Sequence, residues 1–167
     1  MNFVYIGIIV NTHALKGEVR IISNFEYKDK VFKIGKRLYI GDLKNCEEIE
    51  TYRTHKNYDM VKFKGINHIN DVLKYKGKKV YVLRNDLELK TDEYLESDLI
   101  GLNAIFEEKI IGTITDIINN NGYKLIKIKD KLIPLNNNFI EKVNIEKNEV
   151  ILKNVGELIW KIKLNLF

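Results

Sequence analysis

The stretch Asn11–Arg20 reads NTHALKGEVR and joins two segments in which apolar and polar residues alternate. Gly17 can take a positive φ in a tight turn, and Val19 and Ile21 then face one apolar side of the second segment. The pattern therefore predicts a β-hairpin near the N-terminus. The basic side chains that project from it are His13, Lys16 and Arg20. They are either solvated hairpin residues or part of a binding surface.

Short segments of this kind recur along the chain and read as strands. In the first half they are Phe3–Val10, Val19–Ile22, Arg37–Ile40, Glu48–His55, Tyr58–Phe63 and Lys79–Leu83. In the second half they are Leu99–Phe106, Ile110–Ile118, Tyr123–Ile128, Leu132–Leu135 and Glu149–Leu152. Their spacing of roughly ten residues favours small barrels or sandwiches over alternating strands and helices. We therefore expect an all-β fold.

One short helix is predicted over residues 66–76, where an apolar stripe follows a possible cap at Asn67 and precedes Gly77. Its stripe consists of Ile66, Ile69, Val72 and Leu73. Structural turns or bends are expected at Gly7, Gly17, Gly101 and Gly112. The only proline, Pro134, indicates an edge or bulge position in its strand.

The two halves of the chain differ in charge. Residues 1–85 carry 17 Lys and Arg against 9 Asp and Glu, a net +8, whereas residues 86–167 carry 11 against 14, a net −3. We expect domains over 1–84 and 94–167 with a polar linker over 85–93. The first half is compatible with phosphate and the second with a basic protein. A second basic group, Lys74, Lys76, Lys78 and Lys79, either complements the predicted helix dipole or contacts RNA phosphate.

The usual signatures of catalysis and metal binding do not occur. Ser23 and Ser97 lack a nucleophile-elbow context, neither standard glycine-rich phosphate loop is found, and the three histidines have no metal-binding spacing. Cys46 is the only cysteine, which excludes an intrachain disulfide. We expect no enzyme activity, no metal and no cofactor. No signal peptide or membrane-spanning run is evident, so a cytoplasmic protein is expected.

Between the linker and the next strand, Tyr94 and Leu95 can form an exposed apolar spot with acidic neighbours such as Asp98. Exposed aromatic and apolar side chains of this kind serve as anchors in protein interfaces. Packing between domains is the alternative explanation, and the residues alone do not separate the two.

The ordered motifs resemble those of the RimM family of ribosome maturation factors. The residues Gly7–Arg20 are similar to the N-terminal signature of the family, and residues 61–82 resemble its next strand, helix and strand. Further similar pieces are Asp98–Leu102, Ile111-Gly112 with Asp116, Leu132–Leu135, Phe139-Ile140 and Val143. Two positions depart from the family pattern: Ala14 stands where glycine is usual, and Leu95 replaces the second of two adjacent tyrosines.

The resemblance implies a six-stranded N-terminal barrel like those of translation factors and a C-terminal PRC-type barrel. It implies a non-catalytic assembly factor, a monomer without membrane contact, that binds the head of the immature 30S subunit and assists 16S rRNA folding and processing. Tyr94, Leu95 and Asp98 would bind a small-subunit head protein, the nineteenth of the S series. The two basic groups would lie near rRNA. The alternatives are an RNA-binding barrel protein that needs no ribosomal protein, and an RNA-processing enzyme.

Overall fold

A computed structural model describes residues 1–160. The chain forms two compact units, the first spanning Met1–Glu88 and the second beginning at Leu89. With the boundary at Glu88, two carboxylates counted above with the second half, Asp86 and Glu88, belong to the first unit. Residues 1–88 then carry 17 Lys and Arg against 11 Asp and Glu, a net charge of +6. The rest of the sequence carries 11 against 12, a net charge of −1. The charge contrast between the units is smaller than the sequence split suggested.

The first unit is a closed six-stranded barrel with the strand order β1-β2-β5-β4-β3-β6. Its strands are β1 (Phe3–His13), β2 (Glu18–Ile22), β3 (Arg37–Ile40), β4 (Asn45–His55), β5 (Tyr58–Phe63) and β6 (Lys79–Leu83). Alternate residues of β2, such as Val19 and Ile21, are fully buried in the barrel interior. Burying each such side chain contributes about 2 kcal/mol. The alternation read from the sequence therefore decides which face of each strand points inward.

A short helix that the sequence did not indicate, α1 (Lys28–Val31), follows β2. Its first residue, Lys28, is one member of a polar cluster around a buried carboxylate. The Lys28 ammonium lies 2.7 Å from the carboxylate of Asp59, which is only 2% exposed. The Tyr52 hydroxyl donates to the other oxygen of Asp59 at 2.8 Å. Burial, followed by this hydrogen bond, raises the pKa of Tyr52 to about 12. Lys28 and Tyr52 thus satisfy a carboxylate that would be costly to bury alone.

The predicted helix over residues 66–76 is wrong. The segment instead forms two 3₁₀ turns, Ile69–Asp71 and Leu73–Tyr75. Their hydrogen bonds span three residues, from the Val72 amide to the Ile69 carbonyl and from the Lys76 amide to the Leu73 carbonyl, both at 3.2 Å, which is the 3₁₀ pattern. Val72 and Tyr75 face inward, at 0% and 2% exposure. The first turn is capped by the side chain of His68, not by Asn67.

The second unit contains a six-stranded sheet in the order β10-β9-β8-β7-β12-β11. Its strands are β7 (Asn103–Phe106), β8 (Lys109–Asn120), β9 (Tyr123–Ile128), β10 (Lys131–Pro134), β11 (Ile140–Asn144) and β12 (Glu149–Leu152). A helix, α2 (Gly156–Trp160), follows. Strands β7 and β12 pair in parallel, and the remaining neighbours are antiparallel. The prediction of an all-β chain with two barrel-like domains is confirmed.

The apolar core of this sheet includes Leu99, Leu102, Ala104, Ile114, Ile126, Ile128, Ile133, Ile140, Val150, Leu152 and Val155. As predicted, Pro134 lies on an end strand, β10, where a residue without a backbone N–H is tolerated. The sequence reading missed β11, because a register shift between Ile140 and Lys142 interrupts the alternation there.

The four expected turn glycines have two different roles. Gly17 and Gly101 lie in turns and have positive φ, as predicted. Gly7 and Gly112 instead lie inside β1 and β8, at register shifts of their strand pairs, which agrees with the bends expected there. A Cβ on Gly7 would lie 2.5 Å from the carbonyl oxygen of Ile22, so the missing side chain permits close approach of two strands.

Candidate binding surfaces

The first candidate surface lies on the barrel, at the hairpin that the sequence singled out. Arg20 donates from Nη2 to Nδ1 of His13 at 2.7 Å, and its guanidinium carbon lies 5.6 Å from the centre of the Tyr58 ring. The His13 ring is nearly parallel to that of His55, with an angle of 24° and centroids 6.5 Å apart. We refer to His13, Arg20, His55 and Tyr58 as the His–Arg cluster.

Strand pairing explains why these residues meet. Arg20 on β2 pairs with Met60 on β5, and Tyr58 lies two residues earlier on the same strand and therefore on the same face. His55 on β4 pairs directly with Tyr58 across the next hairpin. His13 lies on β1 close to Asn11, the partner of Arg20. The closed barrel thus brings four planar side chains from four neighbouring strands together on its surface.

The two arginines at this cluster differ in whether a carboxylate pairs with them. Arg53, next to the cluster, forms a two-point ion pair with Glu18, with nitrogen–oxygen distances of 3.0 and 2.6 Å. Arg20 contacts His13 and Tyr58, and within residues 1–160 no carboxylate lies within 4 Å of its guanidinium. The Nε atom of Arg20 is also buried, and it has no hydrogen-bond partner within residues 1–160. The cluster therefore keeps one positive charge that no nearby acid balances.

The hairpin turn is held by backbone contacts to the segment that follows β5. The amide of Ile69 donates to the carbonyl of Leu15 at 2.9 Å. A Cβ on Gly17 would lie 2.9 Å from the carbonyl oxygen of His68, so this glycine lets the turn pack tightly. Ala14 has φ of +60°, a conformation in which glycine is normally preferred. Lys16 is exposed in the same turn and has no role in holding it.

The second basic group is exposed and lies elsewhere on the barrel. Lys74 and Lys78 border a small cleft of about 150 Å³ with the β3–β4 turn, which contributes Asp42. Lys76 and Lys79 are also exposed, and Lys79 pairs with Ile8 of β1. No hydrogen bond, ion pair or ring contact in the described residues joins this lysine group to the His–Arg cluster. The structure therefore gives two separate basic areas.

The second unit has a groove of about 600 Å³ that includes the predicted interface residue Tyr94. The other lining residues are Lys90, Thr91, Asp92, Asn137, Ile140, Glu141, Lys142 and Val143. The Tyr94 side chain is half-buried, and burial, followed by the charge of Glu96, raises its pKa. Four lining residues belong to β11, an end strand of the sheet. The groove thus combines an aromatic side chain with a strand edge.

The expectation that Leu95 is exposed beside Tyr94 is wrong. Leu95 is only 3% exposed, and its amide donates to the Asp98 carboxylate at 2.9 Å. The Asp98 amide in turn donates to the carbonyl of Leu95 at 2.8 Å, which closes the 3₁₀ turn Glu96–Leu99. Leu95 and Asp98 therefore position this turn, and Tyr94 is the member of the predicted set that lines the groove.

The sequence reading did not find His55 and Tyr58 as members of the His–Arg cluster. Both flank the Lys56-Asn57 turn between two correctly predicted strands, so the register of that hairpin was the available signal. A two-residue loop places the flanking residues opposite each other. Their meeting with His13 depends on the pairing of β2 with β5, which joins segments distant in the chain and which the local pattern does not reveal.

Within residues 1–160 no group of three or more His, Cys, Asp or Glu side chains is arranged to hold a metal ion. In the same range, no helix combines the length and apolar character required to cross a membrane. Together with the folds above, the described chain is a two-unit β-protein whose candidate sites are clusters and grooves at the surface.

Comparison with known proteins narrows that class. The family model for the RimM N-terminal domain matches residues 4–87. Ribosome maturation factor RimM of Ligilactobacillus salivarius is 38% identical, covering 92% of this chain and 96% of the relative. RimM of an Exiguobacterium species is 32% identical, covering 95% and 98%. The chain belongs to the RimM family of ribosome maturation factors.

Solved structures of the family are also similar to this chain. A RimM crystal structure from Pseudomonas aeruginosa is 20% identical, with a TM-score of 0.48, and covers 91% of this chain and 97% of its own. The N-terminal domain of RimM from Thermus thermophilus is 22% identical, with a TM-score of 0.46, and covers 53% and 98%.

Proposed function

We propose that this protein assists the folding and processing of 16S rRNA by binding the head of the immature 30S subunit, without catalysing a reaction. The second unit docks a small-subunit head protein, the nineteenth of the S series, through the Tyr94 groove. The first unit lies against rRNA. Membership of the RimM family supports the general role, and the groove with its half-buried tyrosine is the observation that carries the docking step.

The groove suits a protein segment for two reasons. Tyrosine buries a large apolar ring while keeping a polar tip, which is why it is enriched among the residues that dominate interface energies. The neighbouring end strand β11 adds backbone donors and acceptors that an extended segment can pair with. Asp92 and Glu141 share the groove with Lys90 and Lys142, so its charge is mixed. Recognition then relies on shape and the aromatic anchor more than on net charge.

Binding alone can assist assembly. A protein that binds one conformation of the 30S head stabilises that conformation, by about 2.7 kcal/mol when its free concentration is 100 times the Kd. Such an effect selects one RNA fold among competitors and requires no active site. We infer that the protein acts in this way, in the cytoplasm where ribosomal subunits assemble.

Co-sedimentation with purified 30S precursors tests the docking step. Tyr94→Ala should weaken binding at least tenfold, because truncating a hot-spot aromatic residue costs about 2 kcal/mol or more and about 1.4 kcal/mol is a tenfold change. Tyr123→Ala is the matched control, since Tyr123 is a tyrosine of the same unit, 77% exposed and outside the groove. Equal binding by both folded variants would refute docking through Tyr94.

The alternative is an RNA-binding barrel protein that needs no ribosomal protein, which the basic surface of the first unit favours. In that case affinity for 30S precursors should fall steeply with salt and should not respond to Tyr94→Ala. In the proposed function the Tyr94→Ala defect persists at every salt concentration at which the wild type binds.

A further inference from the structure

The His–Arg cluster combines two imidazoles, a tyrosine ring and a guanidinium on the surface of the barrel. Its four planar groups come from four strands, and the rings of His13 and His55 lie nearly parallel with centroids 6.5 Å apart. His55 is exposed and His13 half-buried, so ligands can reach the imidazole pair. No core packing requires two imidazoles here, because the barrel interior is filled from the opposite faces of these strands.

The two imidazoles together form an aromatic platform. Offset aromatic pairs have centroids about 4.5–7 Å apart, so the nearly parallel rings at 6.5 Å act as one pair rather than as two walls of a slot. A flat aromatic ring can stack on this pair from the exposed side of His55. Base stacking on aromatic side chains tolerates any sequence, and it requires a base that is not already stacked in a duplex.

The charge of the cluster indicates an anionic ligand. Glu18 is occupied by Arg53, whereas the Arg20 guanidinium has no carboxylate partner within residues 1–160. Lys16 and Lys56 are exposed in the two turns that directly follow His13 and His55 along the chain. A nucleotide offers a flat base and a phosphate in one ligand, and so fits the aromatic and the cationic parts together.

We propose that the His–Arg cluster binds an unpaired RNA base, stacked against His13 and His55, with the adjoining phosphate attracted by Arg20 and the two turn lysines. This inference rests on the proposed function, in which the first unit lies against rRNA, and adds the kind of RNA feature that it recognises. Arg20 also positions His13, since a guanidinium can only donate and therefore holds the imidazole with Nδ1 as the acceptor.

The test uses the full chain and a ten-nucleotide single-stranded RNA with 2-aminopurine at its centre, alone or annealed to its complement. Stacking of the fluorescent base on an aromatic side chain changes its emission. We expect the wild type to bind the single strand and alter its fluorescence, and to bind the duplex at least tenfold more weakly. His55→Ala should lower single-strand affinity about tenfold, the scale of one lost stacking contact.

Two further variants separate stacking from folding. His55→Phe retains an aromatic face and should keep most of the affinity that His55→Ala loses. His68→Ala is the matched control, because His68 is the third histidine of the chain, lies outside the His–Arg cluster and hydrogen-bonds through its ring to the local Asn70 amide. Wild-type affinity in folded His55→Ala, or equal binding of duplex and single strand, would overturn the proposal.

The same variants distinguish this inference from the proposed function. If the wild type co-sediments with 30S precursors but does not alter the 2-aminopurine signal, the assembly role stands and the base site is refuted. If His55→Ala loses 30S binding but keeps its affinity for the single strand, the cluster contacts a protein instead, and the base site is again refuted. If the base signal is present but no precursor binding occurs, the assembly role fails and the base site stands.

Discussion

The two sheets of this protein end differently, and the difference determines what each can offer a partner. The first sheet closes on itself, so its strands have no free edge and a partner meets only the side chains on its outer face. The second sheet ends at β10 and β11, and β11 lines the groove that contains Tyr94. A protein segment can therefore use the backbone of the second unit, whereas the first is suited to stacking and charge.

Of the substitutions that test this comparison, Leu95→Ala in the second unit should have the largest effect on stability. Leu95 is 3% exposed, so truncation removes buried contacts and should lower the free energy of unfolding by about 3 kcal/mol. Urea unfolding followed by circular dichroism measures the loss. Tyr94→Ala, the half-buried neighbour, should lower it by less. A larger loss of stability for Tyr94→Ala than for Leu95→Ala would contradict the assignment of Leu95 as the buried residue and Tyr94 as the one that lines the groove.

Next in size is a pair of glycine substitutions, one in each unit. A Cβ on Gly7 would lie 2.5 Å from the backbone oxygen of Ile22, whereas on Gly112 it would lie 2.7 Å from the Ile128 side chain. Backbone yields less readily than a side chain, so Gly7→Ala should cost about 2.5 kcal/mol through the clash with Ile22. Gly112 has φ of +156°, which strains any residue with a side chain, so Gly112→Ala should cost about 2 kcal/mol although the Ile128 side chain can shift. Thermal unfolding of both variants checks the order. A larger loss for Gly112→Ala would show that backbone strain at Gly112 outweighs the close strand contact at Gly7.

A smaller effect distinguishes the polar interior of the barrel from the apolar core of the second unit. The pKa of Tyr52 is raised to about 12, so its contribution to stability is complete below its unfolded value near 10 and is lost as the pH rises through 12. The stability advantage of the wild type over Tyr52→Phe should therefore shrink between pH 9 and 12. Urea midpoints across that range measure it.

Tyr123→Phe serves as the control for this pH dependence. Tyr123 is 77% exposed in the second unit, so its removal should leave the slope above pH 10 unchanged. A Tyr52→Phe protein that loses stability with pH as steeply as the wild type would exclude the hydrogen bond to Asp59 as the cause.

The smallest effect concerns the hairpin turn. Ala14 holds φ at +60°, which costs an alanine about 1 kcal/mol, while glycine adds freedom to the unfolded chain. Ala14→Gly should therefore stabilise the barrel by about 0.5 kcal/mol. Lys16→Gly, in the same turn but without positive φ, should destabilise it. Calorimetric melting of the two variants resolves the difference, and a destabilised Ala14→Gly would show that the turn tolerates alanine without strain.

Strand positions were largely predictable because alternation is a local property. The segments Tyr58–Phe63, Lys79–Leu83 and Tyr123–Ile128 have the predicted bounds. The errors occur where the local pattern is irregular or ambiguous. Strand β11 is broken by a bulge, and the apolar spacing of residues 66–76 fits an α-helix as well as the two 3₁₀ turns that form.

The candidate sites were predictable only in part. His13, Arg20 and Tyr94 were identified from their own chemistry. Leu95 was misread because burial depends on how a turn folds back on the sheet, and His55 was missed because its contact with His13 requires β2 to pair with β5. Residues that act alone can be found in a sequence, whereas residues that act together depend on pairings between distant strands.

The parallel pairing of β7 with β12 bears on the order in which the two units can form during synthesis. The first barrel closes through contacts of Phe3 with Leu83, so all of its strands exist once β6 has been made. In the second unit, β7 pairs with β8 as soon as that strand is made, but its other edge has no partner until β12 is complete at Leu152, because Ala104 pairs with Val150. A nascent chain can therefore complete the closed barrel while the other sheet still awaits its last strand.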